Sequence, residues 1–244
     1  MNHVPANIKA TKARLVVIGN GMAGMRTVEE VLSRAPDKYD ITVFGAEPRV
    51  NYNRIMLSPL LSGEKEFDEI VINTPEWYTE NNIHLYSGDP VVEVDRDRKV
   101  VISKSGTETE YDQLLLATGS DPIIIPVPGH KLDGVVTFRD VDDVDTMLGA
   151  AANGGPAVVI GGGLLGLEAA VGLQSRGMDV TVLHLAGHVM ERQLDPSAGY
   201  LLAQELERRG ITVITEADTA EIVGSENVTG VRLKDGRMIP ADLV

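Results

Sequence analysis

One device occurs twice and limits what the chain can become. Residues 15–32, LVVIGNGMAGMRTVEEVL, run from an apolar stretch through glycine-rich sequence into a helical pattern, and residues 158–170, VVIGGGLLGLEAA, repeat that order. An uninterrupted apolar run suits a strand buried on both faces, as in a parallel sheet covered by helices. The turn between strand and helix is Gly19-Asn20-Gly21-Met22-Ala23-Gly24 in the first copy and Gly161-Gly162-Gly163-Leu164-Leu165-Gly166 in the second. In this spacing the first glycine permits a tight turn. The second leaves room for a pyrophosphate to approach the backbone, and the third lets the helix pack closely on the strand. The free N–H groups and the positive end of the helix dipole then face the phosphates. A glycine-rich turn alone has steric explanations; a strand before it and a helix after it make the motif specific. Two copies predict two dinucleotide sites.

The repeat extends beyond the loops. In the first half a strand is expected over 14–18, a helix over 22–33 and a second strand over 40–44. A small antiparallel meander follows from residue 85 (VVEVD, KVVIS), then a strand over 111–117 that ends in Thr118-Gly119-Ser120. The second half offers a strand over 157–160, a helix over 164–175, a strand over 179–184 and a longer amphipathic helix over 196–209. ITVIT, AEIVG, VTGVRLKDG and RMIPADLV then form a second meander leading into a strand. The predicted fold class is α/β, with two Rossmann-like βαβ nucleotide-binding domains, each carrying a small antiparallel meander. The expected boundaries are 1–122 for the first domain, with 1–13 a tail, and 123–241 for the second. Residues 242–244 begin a return to the first domain: if Asp242 is the counterpart of Asp112, the glycine matching Gly119 falls beyond Val244. The sequence is therefore expected to be a piece of a longer protein.

In such units a carboxylate at the end of the second strand accepts hydrogen bonds from an adenosine ribose. Glu47 holds that place in the first unit, and a solvated loop carboxylate is its plainer explanation. In the second unit the place is taken by His184, which can hydrogen-bond a ribose or, when protonated, a 2′-phosphate. Arg192 lies a little beyond, so NADH and NADPH both stay open.

Bulk properties remove other classes. The net charge of −14 repels phosphate backbones and no local basic patch offsets it, so no nucleic-acid partner is expected. With no cysteine, the chain has no disulfide, thiolate nucleophile or cluster ligand of its own. No apolar run reaches the length of a membrane span, and the N-terminus lacks the apolar core of an export signal. A cytoplasmic enzyme without a membrane partner fits best. No metal site is expected: His184 and His188 straddle a strand end and a glycine loop, and RDVDDVD over 139–145 suits the start of a helix better than a calcium loop. Trp77, in TPEWYTENN, is assigned to the core of the first domain.

The two glycine loops, the LLLATGS strand end and Glu47 together resemble the FAD-dependent pyridine-nucleotide reductases of glutathione-reductase fold. The resemblance covers nearly the whole chain from about Arg14 and implies FAD in the first unit and NAD(P)H in the second. VNYNRIMLSPLLSGEK, residues 50–65, is similar to the FAD module of assimilatory NAD(P)H nitrite reductase large subunits, and also to ferredoxin- and rubredoxin-type reductases. By that resemblance Arg54 contacts the flavin side and Arg139 the FAD, Val91 meets the adenine through its backbone, Thr118, Gly119 and Ser120 help to bind the cofactor, with Gly119 where the chain crosses between domains, and Glu168 lies near the nicotinamide. Plainer roles exist too: surface ion pairing for the two arginines, and a carboxylate favoured by a helix N-terminus for Glu168. Ferredoxin reductases that serve oxygenases carry a lysine after the LS; here that position is Pro59, which favours the nitrite-reductase branch.

The implied chemistry is hydride transfer from NAD(P)H to FAD, with Arg54 and Glu168 as the residues nearest the reaction and electrons leaving to an acceptor elsewhere. That acceptor is expected to be an iron–sulfur or siroheme domain of the same enzyme, or a ferredoxin-like protein. The alternatives are a free-standing ferredoxin or rubredoxin reductase, and a nucleotide-binding protein without turnover.

Overall fold

Hydrophobic alternation and capping residues explain most of the elements seen in residues 12–244, the part of the chain described by a computed structural model. The tail expected over 1–13 lies outside the described residues up to residue 11, and Ala13 already opens a strand. The first half contains β1 (Ala13–Ile18), α1 (Met22–Arg34), β2 (Tyr39–Gly45), α2 (Leu57–Ser62), α3 (Phe67–Ile70) and α4 (Pro75–Glu80). It continues with β3 (Ile83–Ser87), β4 (Val91–Asp95), β5 (Val100–Ser103), β6 (Glu108–Glu110) and β7 (Gln113–Leu116). The second half contains α5 (Val141–Ala151), β8 (Pro156–Ile160), α6 (Leu164–Ser175), β9 (Asp179–Leu183) and α7 (Pro196–Arg208). It ends with β10 (Thr212–Ile214), β11 (Thr219–Gly224), β12 (Val228–Leu233) and β13 (Met238–Pro240).

These elements form two compact units: residues 12–53 with 70–120, and 54–69 with 121–244. The segment 54–69 thus belongs with the second unit, whereas its place in the sequence suggested the first. The reason is local packing within that unit. Helix α2 lies on α6 so closely that a Cβ at Gly172 would sit 2.6 Å from Leu61 Cδ2. Arg176, at the end of α6, donates from Nε to the Leu61 carbonyl at 2.6 Å and from Nη2 to the Leu60 carbonyl at 3.4 Å. A guanidinium there adds donors to carbonyls at the C-terminal end of a short helix. Gly63 closes α2 in a left-handed conformation.

The first unit is built on a parallel sheet in the order β3-β2-β1-β7. The chain passes from β1 through α1 to β2 on one side and later returns as β7 on the other, so the strand order switches at β1. Val16 and Val17 of β1 are wholly buried on opposite faces, as the apolar run required. Each such side chain contributes about 1.5–3 kcal/mol by leaving water. One face packs Met25, Val28, Val43, Tyr78 and Ile83; the other packs Phe44, Val101 and Tyr111 under the antiparallel β4-β5-β6 meander. Trp77, assigned to the core from sequence, is only half-buried at its edge; the buried ring of that helix is its neighbour Tyr78.

The second unit repeats the plan. Its parallel sheet runs β10-β9-β8, and beside β8 the segment 242–244 continues it: Asp242 N–H donates to the Pro156 carbonyl at 2.8 Å, and Ala157 pairs in parallel with Leu243. In the first unit Asp112 N–H donates to the Arg14 carbonyl at 2.9 Å, the same step of the same ladder. Residues 242–244, expected to begin a return to the first domain, instead extend the second unit's own sheet through an isolated bridge. The β11-β12-β13 meander packs on Val158 and Leu183. The acidic run 139–145 starts α5, where Asp140 and Asp143 form a reciprocal capping box.

Candidate functional site

Each sheet presents the carboxyl ends of its central strands to a glycine turn and a helix N-terminus, the usual place for a nucleotide in an open α/β sheet. In the first unit Gly19 has φ +114°, and a Cβ there would lie 2.1 Å from the Ala117 carbonyl oxygen, so only glycine fits. That contact brings the end of β7, with Thr118, Gly119 and Ser120 following, against the loop. A Cβ at Gly24 would lie 2.7 Å from the Gly19 carbonyl oxygen, which is the close helix–strand contact expected of the third glycine. Gly21 is different: a Cβ there meets nothing within 4 Å, and its backbone is extended.

The same three-way division holds in the second unit. Gly161 has φ +125°, a Cβ at Gly166 would fall 1.9 Å from the Gly161 carbonyl oxygen, and a Cβ at Gly163 meets nothing within 4 Å. No packing in the described residues demands glycine at either second position. A ligand that must touch backbone there would demand it.

The helix ends make the same point. Thr74, Asp140 and Asp195 cap α4, α5 and α7 with side-chain oxygens. Gly21 and Gly163 give α1 and α6 no side-chain cap, and neither first turn carries an acidic residue. The N–H groups of Met22, Ala23 and Gly24, and of Leu164, Leu165 and Gly166, begin helices whose N-termini an anion can complete. Leu164 and Leu165 are exposed beside that turn. The residues present thus fit a dinucleotide at both loops.

Around the first loop, Asn20 accepts from the Tyr78 hydroxyl at 2.7 Å and donates to the Arg49 carbonyl at 3.3 Å. Burial pushes the Tyr78 phenol up to about 12. Glu47, just past β2, is partly exposed and accepts from the Tyr52 hydroxyl at 2.7 Å, which fixes its carboxylate. Val91 opens β4 with its side chain packed on the cluster of Ile18 and Phe44. Tyr52 and Tyr78 were not picked out by sequence reasoning: a single tyrosine outside a motif gives no sign that it will buttress a loop residue.

In the second unit Arg54 donates from Nη1 to the Arg139 carbonyl at 2.8 Å, so these two residues lie together. Glu168, on the second turn of α6, accepts from the Ser58 hydroxyl at 2.6 Å beside a cavity of about 390 Å³ that Pro59, Leu164, Leu167 and Met190 help to line. His184 is buried at the end of β9, and its Nδ1 accepts from the Gly162 N–H at 3.0 Å. Its ring is thus engaged with the loop. Among the described residues no group of three or more His, Cys, Asp or Glu side chains is placed to hold a metal ion, and none of the helices is long and apolar enough to cross a membrane.

Residues 13–244 match the family model described as pyridine nucleotide-disulphide oxidoreductase. The chain belongs to that family. It is 54% identical over 233 residues to a protein of Bacillus subtilis (strain 168) named nitrite reductase, NAD(P)H type, covering 96% of this chain and 29% of that one. It is 46% identical to the assimilatory nitrate reductase electron transfer subunit of the same organism, covering 96% of this chain and 30% of that one. Among solved structures, the NAD-dependent persulfide reductase from A. fulgidus superposes with a TM-score of 0.88 at 30% identity, over 95% of this chain and 45% of that one. The chain thus spans less than a third of the two curated relatives, 29% and 30% of their lengths. The disulfide of the family's name has no counterpart within these residues, which include no cysteine.

Proposed function

We propose that the chain is the FAD- and NAD(P)H-binding module of an NAD(P)H-dependent nitrite reductase. The observation that carries this reading is the pair of second glycines, Gly21 and Gly163, that face open space at the start of uncapped helices. The N–H groups around Gly21 to Gly24 would hold the FAD pyrophosphate, and Glu47, steadied by Tyr52, its ribose. Val91 would serve the adenine, and Thr118, Gly119, Ser120, Arg54 and Arg139 the rest of the flavin nucleotide. The N–H groups from Gly163 to Gly166 would hold the NAD(P)H pyrophosphate, with Glu168, positioned by Ser58, toward its nicotinamide.

With both cofactors bound, the hydride transfer itself is supplied by nicotinamide and flavin, and the protein contributes position and electrostatics. Pro59 places no cation beside Ser58, so the carboxylate of Glu168 is held by a neutral hydroxyl. Electrons would leave to an iron–sulfur or siroheme domain of the same cytoplasmic enzyme, or to a ferredoxin-like protein. Reconstitution with FAD followed by anaerobic addition of NADH or NADPH tests the reading. Bleaching of the bound flavin by either is expected, and a flavin that neither coenzyme reduces would refute it.

A further inference from the structure

The end of β9 is where a dinucleotide unit normally keeps the carboxylate that accepts from the ribose and repels a 2′-phosphate. Here that position is His184, and its side chain faces inward. The residue is 7% exposed, and a Cβ at Gly162 would lie 2.9 Å from His184 Cγ. Because Nδ1 accepts from the Gly162 N–H at 3.0 Å, that nitrogen carries no proton. Nε2 is then the ring nitrogen left to donate. Nε2 is buried, and Glu191 Oε2 lies 3.0 Å from it, within ion-pair distance.

The chain between them is fixed to the same glycine. Met190 N–H donates to the Gly162 carbonyl at 2.8 Å, so both backbone groups of Gly162 are engaged by the segment that follows β9. Met190 adopts φ +57°, an uncommon value for a side chain with a Cβ, and the next residue is Glu191. The Gln193 and Leu194 N–H groups both donate to the Met190 carbonyl, which closes a turn immediately after it. These contacts set a carboxylate one imidazole ring away from the glycine turn. Its own backbone N–H, then the His184 ring and Arg192, hold the Glu191 carboxyl below the ordinary range, so it is charged at neutral pH.

We propose that Glu191, held in place by His184, is the residue that selects NADH over NADPH in this chain. The proposal rests on the reading that the second unit binds a nicotinamide dinucleotide. A fixed carboxylate beside the turn can accept from a ribose hydroxyl, whereas a 2′-phosphate would meet like charge. Arg192 carries the opposite sign, but its side chain is exposed. Glu191 is the one of the two tied to the loop.

The test is anaerobic equilibrium titration of the FAD-reconstituted chain, its flavin reduced beforehand with dithionite so that no hydride is transferred, with NADH and with NADPH, read by nucleotide fluorescence, so that affinity is measured apart from turnover. Wild type is expected to bind NADH at least about tenfold more tightly than NADPH, and Glu191→Gln to reduce that ratio to about threefold or less. The discrimination against NADPH is expected to shrink with added salt in wild type and to be insensitive to salt in Glu191→Gln. Glu191 lies on the surface, so circular dichroism of this variant should match wild type. Binding of both coenzymes with equal affinity, or a preference unchanged in Glu191→Gln, would overturn the proposal while leaving the second unit's binding role intact. Binding of neither would overturn that role, and the proposal with it.

Discussion

The three glycines of each loop have different physical reasons to be glycine, and alanine substitution separates them. In the second unit, a Cβ at Gly166 would lie 1.9 Å from a backbone carbonyl oxygen, against 3.4 Å or more for ordinary contact. Helix and turn must therefore part by about 1.5 Å, at a cost of about 3 kcal/mol, the upper end for overpacking. For a unit of this size that is a fall of about 6–12 °C in Tm. Gly163→Ala places its Cβ in open space on a backbone with φ −85° and ψ −178°, which any residue adopts. The loss of a glycine at the helix N-cap and the stiffer unfolded chain nearly offset, so stability should change by no more than about 1 kcal/mol. Nucleotide affinity should behave in the opposite way: Gly163→Ala keeps the fold and loses at least about tenfold in binding, because its methyl occupies the approach of the pyrophosphate. Gly21→Ala and Gly24→Ala should divide similarly for FAD, with a smaller stability loss at Gly24, where the Cβ would lie 2.7 Å from the nearest carbonyl oxygen rather than 1.9 Å. Thermal denaturation of the apo chain and equilibrium titration with NADH and FAD provide both readouts. The reasoning fails if Gly163→Ala melts with Gly166→Ala, or if it binds NADH as wild type does.

Other perturbations follow from single contacts. Arg176→Ala removes charged donors from the Leu60 and Leu61 carbonyls and should cost about 1.5–3 kcal/mol in urea denaturation, with the loss localised by hydrogen exchange to α2. The Tyr78 phenol, raised to about 12 by burial, contributes stability that is complete below the ordinary tyrosine value of about 10 and is lost as pH rises toward 12. Melting temperature should therefore fall with pH in that window, and Tyr78→Phe should abolish that part of the fall while lowering stability by about 1–2 kcal/mol at neutral pH, since Asn20 loses its donor. Ser58→Ala leaves the Glu168 carboxylate without its hydroxyl partner and should slow flavin reduction by about tenfold in stopped-flow measurements, with little change in Tm.

The sheets were legible because their signals are local. A strand buried on both faces has to be apolar throughout, and a turn that forces φ beyond +100° at Gly19 and Gly161 has to be glycine. The Asp112 and Asp242 equivalence was also legible, because the repeat itself carried it and the two N–H bonds to Arg14 and Pro156 express it. The docking of α2 was not, since a six-residue helix has no hydrophobic period to read and its partners, Gly172 and Arg176, lie more than a hundred residues away. Tyr78 was hidden by its neighbour: Trp77 is the larger ring, but helix phase puts Tyr78 on the inward face. His184 was placed correctly at a strand end, yet residue type could not tell that its ring turns inward onto Gly162 and sits against a carboxylate seven positions on.

Native mass spectrometry of the chain with FAD and NAD⁺ supplied together tests the central claim most directly, because an oxidised coenzyme binds without consuming the flavin. Two independent sites predict one species carrying one FAD and one NAD⁺ at once, with Gly21→Ala depleting the first and Gly163→Ala the second. A single shared occupancy, in which either nucleotide displaces the other, would contradict the account.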